Sequence, residues 1–395
     1  MIGKVFGNSE RMDWVLFAVA AGLAVFGSVM VYSASAMMAL KESGDQSDLT
    51  YFYKQFAFMV VGLAVMLVAS RFDYRLLQGR VLVYAAIAVT FVLVCSVYFF
   101  PAINGAHRWI RLGGFSFQPS ELAKITLPLY LAYLLARNER TIGDLRETVL
   151  PCIGVTALIC GPVLFGPDLG TTLVLCAVFG VMYFTAGARI LHLLPVAAAG
   201  LVGLTGMLIF APFRMRRLVA FLDPCDKEHA ADAGYQVCQA LLAVGSGGVL
   251  GEGFAKGQQK LFYLPYPYSD FIFAVVGEEL GLIGTLAVVI AFAVLLWRGA
   301  RAALKAPDRF GNLLGIGLVT GIIVQALFNI SVVISILPAK GIPLPFISYG
   351  GSSVVITMLA VGLLLSISRA SDAGAADEIL TAGSVHRRRA RAGAR

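Results

Sequence analysis

Asp270 stands in Ser269-Asp270-Phe271-Ile272-Phe273, at the polar edge of a long apolar run. A carboxylate there has two readings. It caps the orphan backbone N–H groups of a helix N-terminus, or it acts as a general base at a membrane boundary. Glu278 and Glu279 follow, two helical turns deeper. Charges that far inside an apolar segment are functional candidates by default, because they are expensive unless paired. Being adjacent, the two point in different directions and are not a matched pair. A set of basic residues shares this end of the molecule: Arg108, Arg111, Arg214, Arg216, Arg217, Lys227, Lys256, Lys260 and Lys340. Their natural ligand is a phosphate or pyrophosphate, which Arg grips with two N–H groups and Lys meets as a point charge. Salt bridging to Asp223, Asp226, Glu228 and Asp232 is the plainer alternative for any one of them. Glu121 and Lys124, in Gln118-Pro119-Ser120-Glu121-Leu122-Ala123-Lys124, sit at i,i+3 and read as a structural ion pair that shapes the site.

The elements that must hold these residues follow from composition. The chain has 395 residues, 58% hydrophobic and 14% charged, with mean hydropathy +0.82. A soluble domain carries about 25% charged residues. A cytosolic enzyme, a disordered chain and a secreted globular domain are all excluded. The expected class is an all-α polytopic membrane protein, with lipid as the solvent of its outer face. Apolar runs at 13–35, 52–70, 80–100, 119–136, 148–165, 169–187, 190–212, 270–297, 311–336 and 346–368 predict about ten transmembrane helices. The polar N-terminus, 1–12, leads into a retained first helix and not a cleaved signal peptide. Arg71, Arg75, Arg80, Arg137, Arg140, Arg146, Arg298, Arg301, Lys305 and Arg309 fall on one side of this pattern. By the positive-inside rule that side is cytoplasmic, and so are both termini. A membrane domain over 13–368 is expected to carry one large extracytoplasmic loop, 213–269, between helices seven and eight. Residues 369–395, with Arg387, Arg388, Arg389 and Arg391, predict a basic, flexible cytoplasmic tail.

Several chemistries drop out. No C-x-x-C occurs among Cys95, Cys152, Cys160, Cys176, Cys225 and Cys238, so zinc and thioredoxin readings fail. Cys225 and Cys238 share the long loop and can pair if it is exported; spacing alone leaves this open. Four scattered histidines, His107, His192, His229 and His386, support neither a metal cluster nor a serine-hydrolase triad. The glycine-dense stretch 245–253 lacks the ending of a P-loop. Basic patches interleaved with aromatics are absent, so nucleic acid is not an expected partner.

Taken together, these residues resemble the SEDS family (shape, elongation, division and sporulation). The matching blocks are Asn104-Gly105-Ala106, Arg108-Trp109-Ile110, Phe117-Gln118-Pro119-Ser120-Glu121 and Pro167-Asp168-Leu169-Gly170-Thr171. Arg214 and Arg217 precede Phe221-Leu222-Asp223-Pro224, followed by Gly234-Tyr235-Gln236 and Gly245-Ser246-Gly247-Gly248. Gln259-Lys260-Leu261, Asp270-Phe271-Ile272-Phe273-Ala274 and Gly277-Glu278-Glu279-Leu280-Gly281 come next. Pro338 to Phe346 and Ser348-Tyr349-Gly350-Gly351-Ser352-Ser353 close the series. Lys340 before Gly341 is similar to the division-type member; the elongation type usually has Thr there. Two departures stand out. Tyr266 and Tyr268 occupy positions where the family usually has Glu and His, and Glu252 stands where Arg or Lys is common.

The resemblance implies a ten-helix peptidoglycan glycosyltransferase that polymerises lipid II into β-1,4-linked glycan, with polyprenyl pyrophosphate as leaving group. It implies Asp270 as catalytic base and Arg108, Arg111, Arg214, Arg217, Lys260, Lys340 and Ser352 as substrate-binding residues. Glu121, Lys124, Glu278 and Glu279 take supporting roles. No organic cofactor is implied, and a divalent cation, Mg or Mn, stays open. The implied partners are a single-span class B penicillin-binding transpeptidase and other division proteins. The implied location is the inner membrane at the division septum. A lipid II flippase and an elongation-type polymerase are the competing readings.

Overall fold

The computed structural model describes residues 12–43, 47–102, 105–112, 115–192, 219–226, 234–261 and 263–392, with isolated positions between 193 and 218. Arg214, Arg216, Arg217, Lys227, Asn104 and most of the predicted seventh helix lie outside the described residues. The helices are α1 (Trp14–Ser43), α2 (Thr50–Arg71), α3 (Arg80–Ser96), α4 (Pro119–Arg137), α5 (Leu150–Phe165) and α6 (Leu169–Thr185). They continue with α7 (Tyr235–Ser246), α8 (Ile272–Leu304), α9 (Arg309–Val333) and α10 (Gly351–Ala392). Seven helical segments among the described residues are long and apolar enough to cross a membrane. The polytopic all-α architecture is thus as the composition predicts.

Helix ends follow local chemistry. Asp13 accepts from Leu16 N at 3.0 Å at the start of α1, and Asp308 accepts from Gly311 N at 2.7 Å at the start of α9. Pro119 occupies the first turn of α4, where its missing N–H is not needed. The centre of the fold is α4, buried along nearly its whole length from Pro119 to Leu135 and packed against α3, α6 and α9. Outer helices instead show apolar side chains to the surroundings, such as Val81, Val92, Ile283 and Ile290, as lipid-facing positions must.

The loops that the charge pattern places on one side meet there. Arg75 reaches Asp308 at 3.2 Å, Arg298 pairs with Asp13 at 2.7 Å, and the Tyr74 hydroxyl donates to Asp308. Three features were not expected. A hairpin joins β1 (Ile110–Leu112) to β2 (Phe115–Phe117), with Arg111 opposite Ser116. Residues 235–246 of the long loop form a helix. Finally, α10 continues to Ala392, beyond the end of the last apolar run at 368.

Within α8 the helix breaks at Gly281, which takes φ 63°, ψ −158°. Glycine adopts this backbone without steric penalty. The break frees the carbonyls of Glu278 and Glu279, and these accept from Glu252 N at 2.9 Å and Gly253 N at 3.0 Å. A short helix from Ile272 therefore docks onto the glycine-dense loop.

Candidate functional site

Asp270 lies two residues before α8, and Phe271 is the cap of that helix with no side-chain cap bond. The capping reading is therefore not realised. The Asp270 carboxylate accepts from Ser269 Oγ at 3.2 Å and faces Gly341. A Cβ added at Gly341 would stand 3.0 Å from Asp270 Oδ2 and 3.8 Å from an Arg108 guanidinium nitrogen. Glycine there lets a base and a cation approach the same small space. Burial pushes the Asp270 carboxyl up to about 6, against the lowering effects of Ser269 and Arg108; nearby Asp168 adds to the rise. A carboxylate with that value is ionised at neutrality yet more basic than an ordinary one, which suits proton abstraction.

Arg108 is held from behind. Its Nε donates to Gly166 O at 3.4 Å and its Nη2 to Pro167 O. Asp168 is not available as a second base. It accepts from Thr171 N at 3.1 Å, Thr171 Oγ1 at 2.8 Å and Gln118 Nε2 at 3.1 Å. Gln118 N in turn donates to Ser352 Oγ at 3.4 Å, tying the hairpin to the start of α10. Ser348 Oγ donates to Ser269 O at 2.7 Å and Tyr349 N donates to Tyr268 O at 2.8 Å. The stretch before Asp270 is thus stitched to the stretch before α10.

Of the two tyrosines that differ from the resembled pattern, Tyr268 has a structural role. Tyr268 packs against Tyr51 at 4.8 Å and Tyr349 at 5.7 Å between ring centroids. Tyr51 carries the cluster to α1 by donating to Glu42 at 2.7 Å. Tyr266 is half exposed with φ 53°, a conformation that costs a residue with a Cβ.

The predicted cations divide. Arg108 reaches Gly341 beside Asp270, and Lys340 directly precedes Gly341 in the chain. Arg111 is exposed on β1. Lys260 is buried and committed: its Nζ lies 2.5 Å from Glu279 Oε1 and donates to Ser33 Oγ at 2.8 Å. Glu279 also accepts from Ala255 N at 3.0 Å. Glu278 Oε1 accepts from Gln258 N at 2.6 Å and Gln259 N at 3.0 Å. The two glutamates hold the loop 252–260 against α8. Glu121 and Lys124 pair at 2.6 Å, as their spacing predicts. Cys225 and Cys238 form a disulfide, resolving what spacing left open. Among the described residues no three or more His, Cys, Asp or Glu side chains gather to hold a metal ion.

An apolar cavity of about 570 Å³ opens between α1 and the middle of α8, lined by Gly22, Phe26, Leu250, Leu280, Ile283 and Ala287. Two residues near Asp270 escape the sequence reading. Asn329 and Gln325 lie in the apolar run of α9, and both are buried. Their signal was available: two amides four residues apart inside a membrane helix.

The FtsW/RodA/SpoVE family model, described as a cell cycle protein, matches residues 13–373. A probable peptidoglycan glycosyltransferase FtsW from Geobacter metallireducens is 42% identical over 365 residues, covering 91% of this chain and 95% of the relative. The stage V sporulation protein E of Bacillus subtilis is 38% identical over 364 residues, covering 91% and 97%. Among solved structures, a chain from a peptidoglycan synthase complex that coordinates polymerization and crosslinking superposes with TM-score 0.74 at 28% identity, covering 92% of this chain and 99% of that one. Rod shape determining protein RodA of Thermus thermophilus gives 0.66 at 28% identity, covering 92% and 98%.

Proposed function

Since the chain belongs to the FtsW/RodA/SpoVE family of cell cycle proteins, we propose that it polymerises lipid II into glycan strands for septal wall synthesis, with Asp270 as general base. Its peptidoglycan glycosyltransferase activity follows from relatives so named across nearly its whole length. The observation that carries the residue assignment is the Asp270 carboxylate and Arg108 guanidinium flanking Gly341. Asp270 takes the proton of the acceptor sugar's 4-hydroxyl as that oxygen attacks the donor's anomeric carbon. The bond from that carbon to the pyrophosphate oxygen breaks, and polyprenyl pyrophosphate leaves. One base and one displacement invert the anomeric centre and yield a β-1,4 bond. Arg108 and Lys340, with Arg111, Arg214 and Arg217, stabilise the charge that develops on the pyrophosphate. Ser352 holds the Gln118 backbone beside them. A divalent cation would be held by one carboxylate and the substrate's own phosphates, since the described side chains form no cage.

The prenyl chain fits the apolar cavity beside Gly22 and Leu280. Lys260, Glu278 and Glu279 act by holding the loop. The ion pairs that gather Asp13, Arg75, Arg298 and Asp308 at the opposite end support a ten-span topology with cytoplasmic termini and an exported 213–269 loop. A class B penicillin-binding transpeptidase is the proposed partner, in keeping with the synthase complex among the structural neighbours; other division proteins join it at the septum.

The test uses the protein purified with its transpeptidase partner and supplied with lipid II. Polymer from the native chain and none from Asp270→Ala supports the assignment. Equal polymer from Asp270→Ala refutes it, and lipid translocation in liposomes without polymer favours a transporter.

A further inference from the structure

Gln325 and Asn329 sit four residues apart on α9, 3% and 2% exposed. Asn329 Nδ2 donates to the backbone carbonyls of Asp270 and Ile342, both at 2.7 Å. Gln325 Nε2 donates to Pro343 O at 2.8 Å. One helix face therefore reaches three carbonyls. One belongs to Asp270 itself. The other two follow Gly341, the residue the Asp270 carboxylate faces. The chain from Pro338 to Pro345 is neither helix nor strand, so these carbonyls have no ladder to satisfy them. The two amides take that place.

Their orientation is set by what surrounds them. Gln325 Oε1 accepts from Lys124 Nζ at 2.5 Å, and Lys124 is paired with Glu121 at 2.6 Å. Lysine only donates. The amide oxygen must therefore face Lys124, which leaves the NH₂ toward Pro343. Asn329 shows the same priority differently. Carbonyls only accept, so its NH₂ faces Asp270 and Ile342, while its buried Oδ1 has no partner among the described residues. An unsatisfied buried oxygen is destabilising. Keeping it indicates that the donor matters more at this position than local stability does.

We propose that Asn329 and Gln325 are positioning residues of the glycosyl transfer, locking the Asp270 backbone to the Lys340-Gly341 edge. Lys124 and Glu121 orient Gln325, which gives a buried ion pair in a membrane helix a defined task. The proposal rests on the reading of Asp270 as base. Positional errors near 1 Å cost on the order of a hundredfold in rate, so a lock of this kind has a measurable effect.

The experiment measures lipid II polymerisation by the full-length chain with its transpeptidase partner. It compares the native protein with Asn329→Leu, Asn329→Asp, Gln325→Leu and Asp270→Ala. Asn329→Leu lowers kcat about tenfold to a hundredfold and leaves KM for lipid II within about twofold, because no substrate contact is lost. Its acidic pH limb also moves down from about 6, since a released Asp270 regains solvent. The groups facing that carboxylate, Arg108, Asp168 and Ser269, with Lys340 beside Gly341, are untouched by the change. Asn329→Asp keeps the shape and removes the NH₂, leaving at most one O–H donor for two carbonyls, so a kcat loss in a monodisperse sample separates positioning from misfolding. Gln325→Leu gives the same pattern, weaker. Unchanged kcat and pH limb in both Asn329 variants overturn the proposal while a dead Asp270→Ala leaves the base reading intact. A kcat loss that only tracks the folded fraction, with the limb unmoved, also overturns it. An active Asp270→Ala overturns the base reading and the proposal together.

Discussion

Replacing Asp270 with Asn should abolish polymerisation and make the protein more stable at neutral pH. The folded-state carboxyl is raised from 3.8 to about 6, chiefly by burial. A raised carboxyl means that the folded state disfavours the ionised form. Below about pH 4 the group is protonated in both folded and unfolded chains, and nothing is lost. Between about pH 4 and 6 the unfolded chain ionises first, and stability falls. Above about 6 both states are ionised, and the full loss stays in place. A pKa raised by one pH unit corresponds to about 1.36 kcal/mol, so full shielding gives roughly 3 kcal/mol. Asp270 retains some exposure, and solvent screening trims this to about 2 kcal/mol. An asparagine in its place keeps the shape and removes the charge. The assay is thermal unfolding of the detergent-solubilised native protein and Asp270→Asn, at pH 7.5 and at pH 4. The variant should gain about 2 kcal/mol at pH 7.5 and match the native protein at pH 4. A variant less stable at both pH values, or a gain equal at both, would refute the claim that Asp270 is held as a strained base.

Three further perturbations separate binding from scaffolding. Lys260→Met strands the fully buried Glu279 and should cost about 3–5 kcal/mol; adding Glu279→Gln should recover part of it. A KM increase for lipid II with unchanged melting would instead assign Lys260 to substrate. Replacing Cys225 and Cys238 with Ser opens a loop of separation 13 and should remove about 3 kcal/mol, read by thermal unfolding and matched by reduction of the native protein. Gly22 borders the apolar cavity, and a Cβ there meets nothing within 4 Å, so Gly22→Leu folds but fills it. KM for long-chain lipid II should rise roughly fivefold, about 1 kcal/mol of lost chain burial, with a short-chain analogue unaffected; equal effects on both would remove the cavity from the substrate path.

The legible and illegible parts of this molecule divide along one physical line. Lipid cannot solvate a polar group, so every apolar run long enough to span announces itself, and every polar residue within one demands a partner or a purpose. The runs therefore predict α1 to α6 and α8 to α10, although α1, α8 and α10 extend further at their C-terminal ends. Asp270 stands out for the same reason, at the edge of such a run, and Arg108 stands out as one of the basic residues gathered at that end. The identity of a polar residue's partner is a different matter, because it depends on the packing of distant segments. Lys260 reads as a pyrophosphate contact by charge and side, yet Ser33, at the far end of the sequence, and Glu279 occupy its ammonium. Gly281 carries no signal of its own in the sequence; only the docking of Glu252 and Gly253 shows why the helix opens there. Asn329 and Gln325 disappear among Ile, Val and Leu unless one asks why an apolar helix carries two amides on one face. The partners of their NH₂ groups are backbone carbonyls, which no residue pattern can display. The residues of this site are thus written in side chains, while the frame that aims them is held largely through main-chain oxygens.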